Sequence, residues 1–297
     1  MGGVNLSTAE LALVTGDKPM LVGSNILETS APSTSNVKWL PTNPLSGTSD
    51  THASYPASAA WDRFFNVDTR PDTAGATWNF TINLGTHDPF DMIMIGGHNF
   101  GTITGLTVKF QLATDATFGS VTDLSTWSPG TSNKRLVSLV LSDTSTAKRW
   151  TTTPYIRVNI TGTSGTPRIG ELWLGRRRHL PYKFNIAAQE KRTRSEVVRF
   201  ESRSGLVTSY TKSKGKALRS GAVEMDDSTN ISDVTSWWEE CDYGAKPFLW
   251  IENPATSPSN CHVMTCDTEL DFDLTGPSSR ALQLDMRESA PYLTGES

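Results

Sequence analysis

Acidic residues recur at every second position in the run 267–274, near the carboxyl end of the chain. Successive side chains of a β-strand point to opposite faces, so this pattern predicts a strand with carboxylates on one face and apolar residues on the other. Same-face neighbours lie about 7 Å apart and repel one another unless solvent or cations face them. The acidic face consists of Asp267, Glu269, Asp271 and Asp273.

Lysines show the same period of two in a second segment, at Lys212, Lys214 and Lys216. Strands that carry opposite charge at the same spacing can pair side by side. We therefore expect these residues to form an assembly interface, in which the acidic strand meets a basic strand of an adjacent subunit. The alternative is a solvated strand face with no partner.

The charge distribution supports contact between these two segments. Residues 176–219 hold 13 Lys and Arg against 3 Glu, a net charge of +10, whereas residues 224–297 hold 3 basic against 15 acidic residues, a net charge of −12. Blocks of like charge repel unless something neutralises them. A protein that coats nucleic acid would not carry such an acidic competitor, so no nucleic-acid partner is expected.

The chain shows no motif for catalysis or for zinc binding. It lacks His-Glu-x-x-His, Gly-x-Ser-x-Gly and a phosphate loop, so no catalytic residue and no enzymatic activity are predicted. Cys261 and His262 are adjacent, which does not match the usual ligand spacing of zinc sites, and Cys241 and Cys266 are therefore expected to be ordinary thiols. An odd number of cysteines, 3, suits a reducing compartment. Neither a secretion signal nor a membrane-spanning segment is expected from the short apolar runs.

Short apolar runs with period two, separated by turn-forming residues, fill the stretch 25–175. The clearest are 77–84, 106–112 and 155–160. Without intervening helical periodicity, they predict antiparallel strands and a sandwich or jelly roll. The predicted fold class is therefore mostly β.

Three segments in this stretch resemble discoidin-like domains, which are galactose-binding-like jelly rolls. The first is 57–62 followed by 76–85, the second is 91–99, and the third is 155–160 leading to 168–175. The resemblance covers about half of the chain. It implies an antiparallel β-sandwich over residues 25–176.

The resemblance also implies a structural calcium ion, the one cofactor considered for this chain. The matching oxygen ligands are Asp62, Asp68, Thr69 and Glu171. Oxygen atoms are the ligands that Ca²⁺ prefers. The sequence departs from the family at Arg63, where a glycine is usual, and an arginine can replace the cation by bridging the same carboxylates.

Glycan binding is the second property that the resemblance implies. The candidate contact residues are His52, Tyr55, His98, Asn99, Phe100 and Arg157. Trp78 and Trp173, on predicted strands, are expected in the core or in an interface rather than at the sugar.

The remaining region, 177–297, is predicted to be β-rich with one helix. A helical apolar stripe consists of Ile231, Val234, Trp237 and Trp238. Asn230 or Ser232 can cap its start, and Gly244 suits its end. This layout resembles the C-terminal part of bacteriophage minor tail proteins. The predicted organisation is an N-terminal arm at 1–24, the sandwich at 25–176 and a tail-assembly domain at 177–297.

These resemblances imply a non-enzymatic structural protein of a tailed bacteriophage, in the tail tip, the baseplate or an adaptor. It would be assembled in the host cytoplasm and located in the virion tail, with copies of itself, other tail proteins and host-surface glycan as partners. Neither nucleic acid nor membrane insertion is expected. The alternative is a lectin-like carbohydrate-binding module that acts alone or as an appendage of a depolymerase.

Overall fold

The fold is described from a computed structural model of the 297-residue chain. It describes residues 19–30, 32–41, 48–62, 68–128, 136–140, 154–180, 189–192, 196–201, 207–213, 217–226, 229–251, 261–266, 269–274 and 279–288. In these ranges no helix is long and apolar enough to cross a membrane.

Strands dominate the described ranges. In chain order they are β1 (Met20–Val22), β2 (Val37–Leu40), β3 (Gly75–Asn83), β4 (Met92–Gly96), β5 (Thr107–Ala113), β6 (Val121–Trp127), β7 (Leu136–Val140), β8 (Tyr155–Gly165), β9 (Glu171–Gly175), β10 (Arg177–His179), β11 (Gln189–Arg192), β12 (Glu196–Glu201), β13 (Val207–Ser213), β14 (Ala217–Asp226), β15 (Phe248–Ile251), β16 (Cys261–Cys266), β17 (Asp271–Leu274) and β18 (Ser279–Glu288). The α-helices are α1 (Ile26–Ser30) and α2 (Thr229–Glu240), and 3₁₀ turns occupy Thr34–Asn36, Ala57–Trp61 and Phe100–Thr102.

The prediction of a mostly β, antiparallel chain is confirmed. The described strand pairs are antiparallel, and the predicted strands at 77–84, 106–112 and 155–160 correspond to β3, β5 and β8. Their apolar residues lie on one face of a five-stranded sheet of order β2-β3-β8-β5-β6. A three-stranded sheet of order β7-β4-β9 packs against that face, which makes a β-sandwich.

Strands β4 and β9 of the three-stranded sheet are buried on both of their faces. Ile93 and Leu172 belong to the sandwich core, whereas Met94 and Trp173, their neighbours in sequence, pack against the opposite side. A strand that is covered on both faces has no polar face, which explains the continuous apolar run of β4. The layer that covers the far side is a second, larger sheet.

This larger sheet has eight strands, in the order β10-β1-β15-β16-β18-β14-β11 with β17 also paired to β18. In β15, Leu249 faces the three-stranded sheet, while Phe248 and Trp250 face α2 on the other side. Trp237 of α2 is fully buried there, and its ring lies 4.7 Å from that of Phe248 at 89°. The described elements therefore stack as four layers, sheet on sheet on sheet on helix.

Residues 20–22, within the predicted N-terminal arm, form β1 of the larger sheet, the second strand in its order, between β10 and β15. The next residues fix the sandwich to this sheet. Asn25 is fully buried; its Nδ2 donates to the Leu172 carbonyl at 2.8 Å, and its Oδ1 accepts from Leu174 N at 3.1 Å. The predicted boundaries at 24, 176 and 177 stay predictions.

The basic run 176–178 lies at this junction. The Arg178 guanidinium donates to both carboxylate oxygens of Glu240 at the end of α2, with 2.7 Å from Nη1 to Oε2. Arg177 N donates to Asp91 Oδ1 at 2.7 Å, and both side chains are buried. The arginines thus have carboxylate partners within the chain.

The position of the longer helix, α2, agrees with the prediction, but the residue at which it begins does not. Helix α2 begins at Thr229, so Asn230 and Ser232 lie inside it instead of capping it. The helix ends at Glu240 with a left-handed cap at Asp242, because Asp242 N donates to the Glu239 carbonyl at 2.9 Å and Tyr243 N donates to the Trp238 carbonyl at 2.9 Å. Gly244, the predicted cap, is also left-handed, with φ of 83°, but it lies two residues beyond that position. Asp242 and Tyr243 share that left-handed geometry.

The acidic strand is shorter than predicted. Strand β17 begins at Asp271; Glu269 precedes it and is exposed, and Asp267 lies outside the described residues. Strands β16 and β17 both pair with β18, but five residue steps from Cys266 to Asp271 match only three on β18, from Met286 to Gln283. The register of β17 on β18 is therefore shifted by two residues relative to that of β16, so the two strands do not form one continuous ladder.

Candidate functional site

One end of the sandwich gathers the loops that carry most of the candidate residues. Gly75 at the start of β3 pairs with Gly165 at the end of β8, and bridges join Thr69 to Ile169 and Thr51 to Pro71. We call the described residues 48–62, 68–74, 97–106 and 166–170 the loop end.

A half-exposed aromatic ring with charged neighbours forms the centre of the loop end. The guanidinium carbon of Arg70 lies 3.3 Å from the centroid of the Tyr55 ring, which is a cation–π contact. The His52 ring approaches Tyr55 edge-on, with 4.9 Å between centroids. Arg70 Nε lies 3.2 Å from Asp68 Oδ2, so the carboxylate holds the cation over the ring.

The orientation of His52 is set on both sides of its ring. Its Nδ1 accepts a hydrogen bond from Ser54 N at 3.1 Å, so the proton of the neutral imidazole belongs on Nε2. That nitrogen lies 3.6 Å from Oδ1 of the exposed Asp72. The arrangement presents an N–H donor and a carboxylate acceptor beside the tyrosine.

A second carboxylate fixes the loop that carries Asp72. Asp50 Oδ2 accepts hydrogen bonds from Thr73 N at 3.1 Å and Thr73 Oγ1 at 2.9 Å. Asp72 N also donates to the Asp50 carbonyl at 2.6 Å. The polar groups around Tyr55 are therefore held in place before any ligand arrives, which limits the entropy lost on binding.

His98 and Phe100, two other candidate sugar contacts, are buried under the same loops. Their rings stack with 4.6 Å between centroids, and His98 Nδ1 accepts from Phe100 N at 3.3 Å. Burial lowers the pKa of His98 from 6.5 to about 3, so the ring is neutral. The half-exposed Asn99 holds the adjacent loop, donating to the Thr166 carbonyl and accepting from Arg168 N.

Arg157 lies away from the loop end, on the outer face of the five-stranded sheet. Its Nε donates to Gln111 Oε1 at 2.7 Å, and its guanidinium lies 4.3 Å from the centroid of the Phe118 ring. Gln111 in turn donates to Asp123 Oδ1 at 2.6 Å. The structure thus brings together His52 and Tyr55 as accessible candidates and places Arg157 in a separate polar network.

The oxygen atoms of three predicted calcium ligands already have protein partners. Asp68 faces Arg70; Thr69 Oγ1 accepts from Trp39 Nε1 at 2.9 Å; Glu171 accepts from Asn25 Nδ2 at 3.2 Å. In the described part of the chain, no three His, Cys, Asp or Glu residues form a group that could hold a metal ion. The calcium ion stays a prediction.

The predicted assembly residues lie on different strands of the second region. Asp271 and Asp273 are in β17, and Lys212 is in β13. Lys214 and Lys216, like Asp267, are outside the described residues. Within the chain, the described partner of β17 is β18 and that of β13 is β12, so the interface between copies stays a prediction.

Sequence reasoning missed Arg70 and Asp72. Together with Asp68 they form an alternating charged series, a spacing that could have indicated a built polar loop. The core assignment of Trp78 and Trp173 is confirmed, because both side chains are buried.

No protein-family model matches the sequence, and no curated protein matches it either. Several solved structures are similar. A chitosan-binding module of a chitosanase/glucanase from Paenibacillus sp. IK-5 is 13% identical over 52% of this chain and 98% of that chain, with a TM-score of 0.34. CpGH89CBM32-6 from Clostridium perfringens is 16% identical over 44% and 98%, with a TM-score of 0.31. A GH29 fucosidase from Ruminococcus gnavus is 15% identical over 41% of this chain but only 22% of its own, with a TM-score of 0.32. Nothing about the function of this chain follows from similarities at these TM-scores.

Proposed function

We propose that this chain is a non-catalytic carbohydrate-binding protein whose loop end contacts sugar through Tyr55, His52 and Arg70. The observation that carries the proposal is the half-exposed Tyr55 ring, which is surrounded by a fixed cation, an imidazole N–H and the carboxylate of Asp72. An aromatic ring can stack on the apolar C–H face of a pyranose, while such polar groups hydrogen-bond its hydroxyls. The discoidin-like segments of the sequence imply the same use.

One aromatic ring and a few polar groups offer a monosaccharide few contacts, so the expected affinity is low. A monosaccharide of about 12 non-hydrogen atoms, at roughly 0.3 kcal/mol per atom, binds with a dissociation constant in the millimolar range. Longer glycans that contact more of the loop end should bind more tightly. Detection therefore needs ligand-observed NMR or calorimetry at millimolar sugar.

The test begins with a glycan array probed with the full chain, followed by titration of the sugars that bind. The variant Tyr55→Ala removes the ring and is expected to weaken binding at least about tenfold, the effect of losing a contact of roughly 1.4 kcal/mol. Tyr243→Ala is the matched control, because Tyr243 is 70% exposed and lies beyond α2, away from the loop end. Absence of glycan binding, or equal loss in both variants, would contradict the proposal.

A second candidate function is a structural component of a tailed bacteriophage, built in the host cytoplasm and carried in the virion tail. Two observations favour it: the sandwich is fixed to a larger sheet through the apolar layer of Met94, Trp173 and Leu249, and the hairpin β12–β13 forms its own two-stranded sheet. A rigid base that displays the loop end suits a particle component. Mass spectrometry and antibody labelling of purified particles test this role; absence from every particle would refute it.

A further inference from the structure

A small apolar pocket lies at the loop end, where β3 begins and β8 ends. Gly75 pairs with Gly165, and the next pair of partners is Thr77 with Thr161, so two residue steps on β3 match four on β8. The register therefore shifts by two residues at this point. Both glycines line the pocket, which places it beside the shift.

Close packing explains why these two positions are glycine. A Cβ at Gly75 would lie 2.9 Å from Nε1 of Trp78, and a Cβ at Gly165 would lie 3.1 Å from Cγ1 of Ile103. A side chain at either position would displace these neighbours. The glycines therefore allow the indole and the loop 97–106 to approach the strand ends and to form the pocket.

The walls of the pocket are formed by one end of the sandwich core. Ile103, Leu106, Ile160 and Trp78 belong to that core, and Pro167 is buried beside them. The interior has room for about one water molecule. A buried water needs two or more polar partners, and apolar walls supply few of them, so a methyl group of similar size suits this space better.

One polar group is buried at this pocket. Trp78 is only 2% exposed, and its indole Nε1 has no hydrogen-bond partner in the described part of the chain. Two other buried tryptophans of the sandwich have acceptors. Trp39 Nε1 donates to Thr69 Oγ1 at 2.9 Å. Trp173 Nε1 donates to the Gly23 carbonyl at 3.0 Å. Because a buried N–H without an acceptor destabilises a fold, an acceptor supplied by a ligand would be favoured at Trp78.

We infer that the pocket binds the acetyl group of a sugar, with the methyl group between the apolar walls and the carbonyl oxygen as acceptor for Trp78 Nε1. An acetyl group is the occupant because it joins a methyl group to a strong acceptor through one carbon atom. A hydroxyl group would leave the apolar walls unfilled, and an alkyl group would leave the N–H without an acceptor. Both 2-acetamido sugars and O-acetylated sugars carry this group.

This inference rests on the proposed sugar binding and adds a class of sugar to it. Ile103, Leu106 and Pro167 belong to the same loop end as Tyr55. In this arrangement Tyr55 and its polar neighbours contact the sugar ring, and the pocket selects the acetylated form. Trp78 remains a core residue that offers only its N–H to the ligand.

Sugars that differ only in the acetyl group test the selection. Methyl glucoside and methyl galactoside are each compared with their 2-acetamido, 2-formamido and O-acetyl analogues by ligand-observed NMR with the full chain. We expect the 2-acetamido or the O-acetyl form to bind at least about tenfold more tightly than the parent, the effect of one buried methyl group and one hydrogen bond, and the better of the two identifies the source of the acetyl group. The formamido form lacks the methyl group and should gain less. Equal affinities for all forms would overturn this inference and leave sugar binding intact.

The indole N–H of Trp78 reports on the pocket directly. The chain has nine tryptophans, and the loss of one signal in Trp78→Phe identifies this N–H in a spectrum of the chain labelled with nitrogen-15 in tryptophan. Ala76→Phe, which changes the surroundings of the same N–H, identifies it if Trp78→Phe does not fold. N-methylacetamide carries the acetyl group without a sugar and should shift this signal even if no sugar binds. An unchanged signal would overturn the inference.

Ala76→Phe covers the pocket from its rim. Ala76 lines the pocket but is exposed, so the larger side chain should leave the core intact. We expect this variant to lose both the tenfold preference and the response to N-methylacetamide, with unchanged affinity for the parent sugars. Thr77→Phe is the matched control, because Thr77 is also exposed and lies outside the pocket lining. Tyr55→Ala, by contrast, should weaken both sugar forms alike. Loss of the preference in both phenylalanine variants, or in neither, would contradict the inference.

Discussion

Replacing Asn25 with alanine should destabilise the whole chain, not one part of it. The Asn25 side chain is fully buried and makes four hydrogen bonds: to Glu171 Oε1 at 3.2 Å, to the Leu172 carbonyl at 2.8 Å, from Leu27 N at 3.2 Å and from Leu174 N at 3.1 Å. Each buried partner left without a hydrogen bond costs about 1–3 kcal/mol, and partial relaxation or water entry recovers some of this. We therefore expect a loss of about 3–5 kcal/mol in the free energy of unfolding.

Urea denaturation, followed by tryptophan fluorescence and by far-ultraviolet circular dichroism, measures this loss. The two signals should change together, because buried tryptophans lie in the sandwich core, between the three-stranded and the larger sheet, and beneath α2, and these layers support one another. Asn83→Ala is the control; its Oδ1 accepts one hydrogen bond from Gly85 N at a partly exposed site, so it should cost less than about 1 kcal/mol. A loss below about 1 kcal/mol for Asn25→Ala would refute the reasoning, because it would show that these four hydrogen bonds contribute little to the free energy of unfolding.

Three further predictions concern buried groups. The pKa of His98 is lowered from 6.5 to about 3, so the unfolded chain binds the proton first as the pH falls. The contribution of His98 to the free energy of unfolding should therefore drop by about 3 kcal/mol between pH 6.5 and pH 4. Urea titrations at both pH values should show a smaller acid-induced loss of stability for His98→Gln. In Gly175→Ala the added Cβ would overlap Val22 Cγ1, and the free energy of unfolding should fall by about 1–3 kcal/mol, as measured by the denaturation midpoint. Among the thiols, Cys266 alone is partly exposed, and burial raises the pKa of Cys241 to about 12. A thiol reagent should therefore label Cys266 first and the other two cysteines only on unfolding. Equal labelling rates would contradict this placement.

The sandwich was predictable because its strands carry period-two patterns. β3, β5 and β8 each have one apolar face on the core and one polar face, so local sequence determines both their type and their orientation. Strand β1 was not predictable. Three apolar residues carry no period, and their partners in β10 and β15 lie more than 150 residues away in sequence.

Residue type alone did not separate accessible from buried site candidates. His98 and His52 are both histidines near aromatic residues, yet His98 stacks inside the sandwich while His52 borders an exposed carboxylate. The difference comes from loop packing over the end of the sheets, which no local pattern encodes. The opposite charges of the segments 176–219 and 224–297 were visible in sequence, whereas the placement of β13 and β17 in different sheets required the topology.

The doubly covered three-stranded sheet limits how evolution can reuse this sandwich. Cutting the chain after residue 176 would expose Met92, Met94 and Trp173 to water. An exposed apolar surface of that kind promotes aggregation. A gene fragment for the sandwich could move to another protein only together with the strands that cover it, or after those three positions had become polar. The sandwich, the larger sheet and α2 are therefore expected to be inherited together, so the loop end evolves on a scaffold that includes the larger sheet.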